Sequence, residues 1–412
     1  MRMSSKSLTM KKNSKRPLTP KLRFPEFRAA PGWENLTLGD ITTKTDKRNK
    51  EGKGYPVFSI SNKTGFTPQS EQFEGMDSEK RGYDIALYKL IGPKTFAYNP
   101  ARINVGSIGY SGDLDNIIIS SLYVCFKARP DVDDQFLLNF FGTSEFEKSV
   151  NNHVEGGIRS YLFYENFARI GVPIPPIKEQ QKIADCLDSL DGLIAAEGRM
   201  LAALRDHKRG LMEQLFPQPG ETKPRLRFPE FRDKREWEEK ELGDICEILN
   251  NRRVPISSND RTPGPYPYYG ASGVVDFVDD YIFDERLVLV GEDGAKWKAF
   301  EETAFIAEGQ YWVNNHAHVL KPSGVIDILL VNYLTMIDVG DYVTGNAPSK
   351  LTLAKLKTIP VPISRYMEEQ HRIADCLTAL DTLIAAQAAY IEALKQHKRG
   401  LMQQLFPAPE GQ

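Results

Sequence analysis

The strongest constraint on the fold of this chain is an internal duplication. Residues 179–217 and 369–407 are identical at 25 of 39 positions without a gap. A second shared block, LRFPEFR, stands at residues 22–28 and again at 226–232, and each copy is followed by Trp-Glu and then Leu-Gly-Asp-Ile. Internal repeats of this kind indicate repeated structural units. The sequence therefore predicts two tandem units that share one frame.

Between the shared blocks the two copies have diverged. Residues 42–170 and 246–359 show little obvious resemblance, and the offset between the copies falls from 204 to 190. Short β-rich runs, such as 116–126 and 286–290, alternate with Gly, Asn and Pro turns, and a helical stretch lies near 135–149. Each insert is therefore predicted to be a mixed α/β domain, with a topology that the pattern leaves open.

The duplicated C-terminal block predicts two long helices. Its apolar residues recur in steps of three and four, which is the heptad spacing of a coiled-coil seam. Glu197 and Gln387, and likewise Lys208 and Lys398, interrupt the seam at matching places, where polar side chains can fix the register. At 1.5 Å per residue each helix is on the order of 50 Å long. The long insert between the copies favours an antiparallel pair with one globular domain at each end.

The fold class that follows is mixed α/β (α+β), with two globular domains joined by two long antiparallel coiled-coil helices in a pseudo-twofold tandem repeat. A Pro/Gly-rich stretch joins the two units, and the first 21 residues carry many Lys and Arg and no acidic residue. The predicted segments are a disordered basic tail at 1–21, a first domain at 22–176, its long helix at 177–217, a linker at 218–225, a second domain at 226–366 and its long helix at 367–407.

Composition excludes several classes of protein. The 412 residues include 53 Lys and Arg against 55 Asp and Glu, so the net charge of -2 excludes a protein that coats polyanions through bulk charge. Any nucleic-acid site must therefore be local. The apolar runs are shorter than the roughly 20 residues of a membrane-spanning helix, and residues 1–10 lack the apolar stretch of a secretory signal. Four cysteines without a C-x-x-C pair suit a reducing compartment and no zinc site. We expect a cytoplasmic protein.

The known catalytic signatures are mostly missing from the sequence. It has no phosphate-binding G-x-x-x-x-G-K-[ST] loop. The string nearest to an amino-methyltransferase motif, Asn-Pro-Ala-Arg at residues 99–102, lacks the second proline and the aromatic residue. E-x-K strings at 51–53 and 238–240 are expected by accident in a chain with 26% charged residues. We therefore predict no catalytic residue in this chain.

The histidines give no clear metal site. His316 and His318 could form half of one if both lay on one face of a strand, but no third ligand is evident, and a hydrogen-bonding pair is favoured. His207 and His397 stand at equivalent places near the ends of the long helices. They suit the helix dipole as cations, or they contact a partner subunit or a phosphate.

The duplicated motifs carry a family resemblance. LRFPEFR with its following Trp-Glu and Leu-Gly-Asp-Ile, a variable stretch, and then EQ-x-x-IADCL-x-x-LD-x-LI-A closing with HKRGLM-x-QLFP resemble the DNA-specificity (S) subunit of type I restriction-modification systems. The resemblance extends from about Leu22 to Pro407. It implies a non-catalytic subunit with two target-recognition domains. Each domain would bind one half of an asymmetric bipartite DNA site, with an unread spacer whose length the helices set.

The resemblance also implies partners. Two methyltransferase (M) subunits would bind around the helices and methylate adenine, and two restriction motor-nuclease (R) subunits would complete the complex. S-adenosylmethionine, ATP and magnesium are expected on those subunits, with no cofactor and no metal bound by this chain. Because the helices are near copies, they would offer equivalent surfaces to two identical partners. The helix residues expected to face them are Ile183, Leu187, Leu190, Ile194, Ile373, Leu377, Leu380 and Ile384.

The candidate DNA contacts rest on side-chain chemistry, since target-recognition domains vary where they contact bases. Arg suits guanine and Asn suits adenine, while Lys and backbone amides suit phosphates. The loops 156–161 and 345–350 stand at the same distance before the helix block, so Arg159 and Lys350 are expected to face double-stranded DNA. The candidates are Lys44, Lys47, Arg48, Asn49, Lys50, Arg159, Ser160 and Tyr161 in the first unit, and Asn251, Arg252, Arg253, Ser272, Lys296, Asn346, Ser349 and Lys350 in the second.

Two other functions stay open at this point. One is a non-catalytic coiled-coil scaffold or adaptor without sequence-specific DNA binding, in which the helices dock proteins. The other is a self-contained nuclease or methyltransferase, which the missing motifs disfavour and which binding of S-adenosylmethionine by the isolated chain would revive.

Overall fold

A computed structural model describes residues 18–72, 82–155, 161–345 and 349–407. The chain divides into unit 1, Met1–Ala195 with Glu392–Gln412, and unit 2, Ala196–Ile391. Each long helix therefore contributes to both units. The predicted tail at 1–21 lies mostly outside the described residues, but Leu18 is buried and pairs with Trp33 through two backbone hydrogen bonds of 3.2 and 2.7 Å.

Short strands and helices make up the domain of unit 1. The strands are β1 (Glu34–Thr37), β2 (Thr42–Thr45), β3 (Val57–Ser61), β4 (Gly65–Pro68), β5 (Lys89–Ile91), β6 (Phe96–Tyr98), β7 (Ile108–Tyr110), β8 (Ile117–Ile119), β9 (Val124–Ala128) and β10 (Gly171–Ile174). The helices are α1 (Leu38–Ile41), α2 (Gln69–Gln72), α3 (Asp134–Phe141), α4 (Ser144–His153) and α5 (Tyr164–Phe167), followed by the long helix α6 (Ile177–Leu215), which continues into unit 2.

Unit 2 is built from a second set of elements. The strands are β11 (Glu238–Glu241), β12 (Cys246–Ile248), β13 (Pro263–Gly270), β14 (Gly273–Val278), β15 (Phe283–Asp284), β16 (Leu287–Gly291), β17 (Ala304–Ala307), β18 (Gln310–Val313), β19 (Ala317–Pro322) and β20 (Pro360–Ile363). The helices are α7 (Leu242–Ile245), α8 (Asp327–Met336) and α9 (Leu353–Lys357), followed by the long helix α10 (Met367–Leu405), which ends in unit 1.

The two diverged inserts share one topology. Unit 1 has four-stranded sheets in the orders β2-β9-β6-β7 and β4-β3-β8-β5, and unit 2 has β12-β19-β16-β17 and β14-β13-β18-β15. Adding ten to each strand number of unit 1 gives the order in unit 2, and the same rule relates the pairs β1-β10 and β11-β20. Strands β3 and β8 run parallel, as do β13 and β18. The predicted mixed α/β class is confirmed, and the strand order is kept although the helices and the lengths of the inserts differ.

The core of each unit is completed by the end of the long helix that comes from the other repeat. In unit 1, Phe406 follows α10 and packs edge-on against Trp33, with ring centroids 6.4 Å apart. In unit 2, Phe216 follows α6 and packs in the same way against Trp237, at 6.3 Å. Aromatic pairs with this edge-to-face geometry stabilise a core beyond the area they bury. The duplicated Leu-Phe-Pro ending is therefore a core anchor.

Segments of the long helices pair antiparallel within each unit. In unit 1, Lys398 Nζ lies 2.5 Å from Asp191 Oδ2. In unit 2, Lys208 Nζ lies 2.7 Å from Asp381 Oδ1. The lysines that interrupt the apolar seam are thus each paired with an aspartate of the other helix.

Four of the residues predicted to face partner subunits are instead buried. Ile183 and Leu187 lie in the core of unit 1, and Ile373 and Leu377 lie in the core of unit 2. The first turns of each long helix pack under the domain that precedes them, so this part of the prediction is wrong. The other four, further along the helices, are half-buried: Leu190, Ile194, Leu380 and Ile384.

One helix in the described part of the chain, α10, is long and apolar enough by length and composition to cross a membrane. This is weak evidence, because helices packed inside proteins meet the same criteria. Charged side chains inside a membrane are costly, whereas Asp381 of α10 forms its ion pair with Lys208 of α6. The contacts of α10 are those of a helix paired with another helix.

A buried ion pair ties the LRFPEFR block to the start of the long helix in each unit. Arg23 Nε and Nη2 donate to the two carboxylate oxygens of Glu179 at 2.8 and 2.7 Å. In unit 2, Arg227 makes the same paired contact with Glu369, at 2.6 and 2.9 Å. Paired hydrogen bonds between a guanidinium and a carboxylate fix both groups in orientation. The two duplicated sequence blocks are therefore in direct contact within each unit.

The four cysteines are free and fall into two classes, which alkylation should separate. Cys125 and Cys246 are buried in strands, and burial raises the pKa of each thiol to about 12. Cys186 and Cys376 are half-buried on the long helices. Because the thiolate is the reactive form, we expect the strand cysteines to react with iodoacetamide more than about tenfold more slowly than the helix cysteines. Mass spectrometry of the folded chain, with the unfolded chain as control, measures this, and equal labelling of all four would contradict it.

Candidate nucleic-acid interface

Loops of unit 2 that carry candidate DNA contacts meet at one edge of the domain. Asp293 and Lys350 form an isolated β-bridge, which joins the loop after β16 to the loop before α9. A Cβ atom at Gly291 would lie 2.8 Å from the carbonyl oxygen of Ala271, so the turn between β13 and β14 reaches the same place. We call this surface the loop edge of unit 2; its described residues are 250–253, 271–272, 291–297, 344–345 and 349–350.

Glu292 holds the cations of the loop edge together. Its side chain is buried, with 8% of the residue exposed. Arg253 Nη1 donates to Oε2 at 2.5 Å and Lys350 Nζ lies 2.8 Å from Oε1, so the 250–253 loop is tied to the others. Burial opposes ionisation of this carboxyl, but the hydrogen bonds from Arg253 and Lys350 outweigh it and hold the pKa of Glu292 below its usual value. Glu292 is therefore an ionised carboxylate at the centre of the loop edge.

His318 supports the same loops as a neutral side chain. Its Nε2 donates to the carbonyl oxygen of Leu351 at 2.7 Å, and its Nδ1 accepts from Asn250 Nδ2 at 2.9 Å. Burial lowers the pKa of His318, so the imidazole is uncharged at neutral pH. His316 precedes β19 and pairs with Asp293 instead. The two histidines therefore hold different loops rather than forming one pair.

Most cations predicted to contact DNA from unit 2 are neutralised inside the unit. Arg252 Nη1 lies 2.6 Å from Glu285 Oε1, and its guanidinium lies over the ring of Phe283 at 4.4 Å. Arg253 and Lys350 share Glu292, as described above. These side chains organise the loops, so their direct contact with DNA stays a prediction. Among the described residues, three candidates are exposed and are not neutralised by a carboxylate: the uncharged Asn251 and Ser272, and Lys296, which has no ion pair. Ser349 is half-buried.

Asn49 of unit 1 stabilises its own loop through side-chain hydrogen bonds and does not contact a base. The residue is 3% exposed. Its Nδ2 donates to the carbonyl oxygen of Lys53 at 2.8 Å, and its Oδ1 accepts from the backbone N–H of Lys53 at 3.1 Å. Both ends of the amide are used inside the protein, so the prediction that Asn49 contacts DNA is wrong.

The four basic candidates at 44–50, which run from the end of β2 into the following loop, are exposed: Lys44, Lys47, Arg48 and Lys50. Lys44 pairs with Glu165 at 3.0 Å, and Arg48 pairs with Asp46 at 3.2 Å. Exposed pairs of this kind are weak and open readily to another anion. Within the described residues two lysines of this loop have no ion pair and remain candidates for phosphate contact: Lys47 and Lys50.

The two loops that the sequence predicts to be equivalent are closed in the same way. Glu155 and Tyr161 exchange backbone hydrogen bonds of 2.9 and 2.8 Å, and so do Thr344 and Lys350. Tyr161 stacks on the ring of Phe163, with centroids 5.9 Å apart. Three predicted DNA contacts that fall between the bridged residues in sequence lie outside the described residues: Arg159, Ser160 and Asn346.

Arg102 of unit 1 occupies the corresponding edge, although the sequence pattern did not single it out. The backbone N–H of Leu162 donates to Pro100 O at 3.0 Å, as that of Leu351 donates to Glu292 O at 2.8 Å. The loop after β6 therefore corresponds to the loop after β16. Arg102 is exposed there and has no ion pair among the described residues. The sequence signal for Arg102 is its position a few residues after a strand, whereas the string at 99–102 resembles part of a methyltransferase motif and gives no sign of DNA contact.

Comparisons with known proteins cover nearly the whole chain. A family model described as the type I restriction modification DNA specificity domain matches residues 31–205 and 234–396. A putative type I restriction enzyme specificity subunit from Methanocaldococcus jannaschii is 24% identical over 409 residues, which is 91% of this chain and 92% of that protein.

A second relative and a solved structure agree with this match. A putative type I restriction enzyme specificity subunit from Haemophilus influenzae is 39% identical over 150 residues, 35% of this chain and 38% of that protein. The crystal structure of the S subunit of a type I restriction-modification system from M. genitalium superposes with a TM-score of 0.58 at 15% identity, covering 95% of this chain and 99% of that one. At this identity the solved structure supports the fold alone.

Proposed function

This chain belongs to the family of type I restriction-modification DNA specificity domains, and we propose that it is the DNA-specificity subunit of such a system, with each unit recognising one half of an asymmetric bipartite site. The observation that carries the proposal is the likeness between the loop edge of unit 2 and the corresponding loops of unit 1. One topology is used twice and closes matching loops with matching β-bridges, while the side chains on those loops differ between the units. Two like frames with unlike loops suit two unlike half-sites.

The chemistry of the loop edge of unit 2 and of the corresponding loops of unit 1 divides DNA recognition between two sets of side chains. Contacts to phosphates position a protein on the duplex, and contacts to base edges give specificity. The exposed cations Arg102 and Lys296 suit phosphates. Exposed Asn251 and Ser272 can donate to and accept from base edges. The internally paired Arg253 and Lys350 would keep the loops in a fixed shape, which reduces the entropic cost of binding.

The proposal assigns no catalytic step to this chain. The chain would direct adenine methylation or cleavage by two methyltransferase (M) and two restriction (R) subunits. Those subunits would carry S-adenosylmethionine, ATP and magnesium. Exposed apolar side chains recur at equivalent helix positions, Leu193 with Leu383 and Met200 with Tyr390. Equivalent apolar surfaces suit two copies of one partner. We propose a cytoplasmic location, where chromosomal and incoming DNA are both accessible.

Methylation mapping tests the specificity role directly. The chain is expressed with the methyltransferase subunit of its own system, and the DNA of the cells is sequenced by a long-read method that detects N6-methyladenine. We expect methylation confined to one bipartite motif, which disappears when this chain is omitted. An active methyltransferase in a soluble complex that gives no motif would contradict the proposal and favour the scaffold function.

Replacing Arg102 or Lys296 by alanine is expected to weaken DNA binding without changing the motif. Binding weakens as salt rises, and removing one phosphate-binding cation should make the plot of log K against log salt less steep by about 1. It should also weaken binding to all sequences alike. Fluorescence anisotropy of the chain with its methyltransferase partner, at several salt concentrations, measures both quantities. Lys223→Ala is the matched control, since Lys223 is an exposed lysine of unit 2 in the segment between α6 and β11. Unchanged salt slopes for both variants would remove these residues from the interface.

A further inference from the structure

Three pairs of polar side chains join segments of the two long helices. In unit 1, Lys398 Nζ lies 2.5 Å from Asp191 Oδ2. In unit 2, Lys208 Nζ lies 2.7 and 2.8 Å from the two oxygens of Asp381. Also in unit 2, one further pair lies between the ion pairs in sequence: Gln387 Nε2 donates to Glu197 Oε2 at 2.6 Å and to the Glu197 backbone oxygen at 3.1 Å.

The two lysine–aspartate pairs cannot distinguish one partner helix from another. Under the 190-residue offset of the repeat, Asp191 corresponds to Asp381 and Lys208 to Lys398. Each long helix therefore carries both an aspartate and a lysine at the same spacing. Two copies of α6 from separate chains would satisfy the same ion pairs as α6 with α10. These pairs set an antiparallel register for any combination of the helices.

The Glu197–Gln387 pair is different, because the same offset maps it onto itself. Residue 197 corresponds to residue 387, so two α6 helices in this register would bring Glu197 against a second Glu197. Both side chains of the native pair are half-buried. A glutamate facing a glutamine gains a charge-assisted hydrogen bond, whereas two carboxylates at 2.6 Å cannot both stay ionised and paired. This position alone among the three pairs distinguishes unlike from like helices.

We propose that the Glu197–Gln387 pair directs α6 to pair with α10 of its own chain and disfavours its pairing with α6 of a second copy. Such selection is useful during synthesis of the chain, because α6 is made before α10. Helix α6 ends at Leu215 and α10 begins only at Met367, so the seam of α6 is complete long before its proper partner exists. Like-charge contacts that penalise wrong pairings are a general means of specifying helix partners.

Three full-length variants measure the penalty. Gln387→Glu recreates the glutamate–glutamate contact inside one chain, and Glu197→Gln places two glutamines there. We expect the Gln387→Glu chain to melt roughly 5 °C below the Glu197→Gln chain. The exchange variant E197Q/Q387E restores one glutamate and one glutamine, and we expect it to regain the parental melting temperature. Recovery in the exchange variant separates disruption of the pair from general damage to the helices.

Refolding tests the selection itself. The parent and Glu197→Gln chains are diluted from denaturant over a range of protein concentrations, and the molar masses of the products are measured by light scattering. The parent should return as monomer, while Glu197→Gln should give a dimer fraction that rises several-fold with concentration. Equal melting of the Gln387→Glu and Glu197→Gln chains, or equal dimer fractions for the parent and Glu197→Gln, would overturn the proposal.

Discussion

Replacing Glu179 by alanine is expected to cost unit 1 about 3 to 5 kcal/mol of unfolding free energy. Arg23 and Glu179 have side chains only 7% and 1% exposed, and two hydrogen bonds join them. Since arginine stays protonated, removing the carboxylate leaves an uncompensated buried charge. Trp33 Nε1 would also be deprived of its acceptor, Glu179 Oε1, at 3.2 Å. A single substitution would therefore separate the LRFPEFR block from the start of α6.

Denaturant unfolding followed by circular dichroism measures this destabilisation, and the chain supplies its own controls. Glu369→Ala breaks the equivalent buried pair with Arg227 and should cost a similar amount. Glu165→Ala breaks an exposed pair with Lys44 and should cost less than about 1 kcal/mol. Replacing both Arg23 and Glu179 by methionine removes the charge together with its partner, so this double variant should be more stable than Glu179→Ala. A Glu179→Ala variant no less stable than Glu165→Ala would contradict the assignment.

The duplicated frame could be predicted because its signals are local. The sequence predicts the long helices at 177–217 and 367–407, and they lie at Ile177–Leu215 and Met367–Leu405. Each ends two residues early because a residue before proline avoids the helical conformation. The phenylalanine at that place leaves the helix and enters the core of a unit, which the periodicity of the helix does not show.

The inserts could not be resolved from the sequence because their strands are short and mostly buried on both faces. Strands β6, β8 and β16 have no exposed residue to mark an alternation. The run expected at 116–126 is two strands, β8 and β9, that lie in different sheets. The helix expected near 135–149 is two helices, because Thr143 caps a new helix through its hydroxyl, which accepts from Phe146 N–H. Pairing between distant strands leaves no local signal in a single sequence.

The candidate site shows the same limit at the level of charge. The positions of cations along the chain favoured Arg252, Arg253 and Lys350 as DNA contacts, but they could not reveal the carboxylates that neutralise them. Glu285 and Glu292 lie more than thirty residues from the arginines in sequence and reach them only through the fold. The sequence marks the loops as candidates one by one, whereas the roles of their side chains depend on partners that the sequence does not reveal.

The second large effect is expected from Glu292→Ala. Whether this variant binds DNA more tightly or loses sequence discrimination distinguishes two explanations of the loop edge. If charge alone governed binding, removing a carboxylate from this proposed DNA-binding surface would tighten binding to every sequence. If Glu292 instead holds Arg253 and Lys350 in place, its removal releases the 250–253 and 344–350 loops. We expect the second outcome: the half-site of unit 2 becomes degenerate while that of unit 1 is kept. Each base pair no longer distinguished should cost about 1 to 3 kcal/mol of discrimination.

Methylation mapping of the Glu292→Ala chain with its methyltransferase gives both half-sites in one measurement. The half-site of unit 1 is an internal control, because Pro100 occupies the place of Glu292 there and no carboxylate is removed. Glu308→Ala is the matched control for charge, since Glu308 is an exposed glutamate of the same unit, paired with Arg286. Tighter binding with an unchanged motif would show that the carboxylate only repels DNA. Degeneracy of one half-site despite the removal of a negative charge would show that specificity in unit 2 depends on the fixed geometry of its loops. Glu292 maintains that geometry through its ion pairs with Arg253 and Lys350.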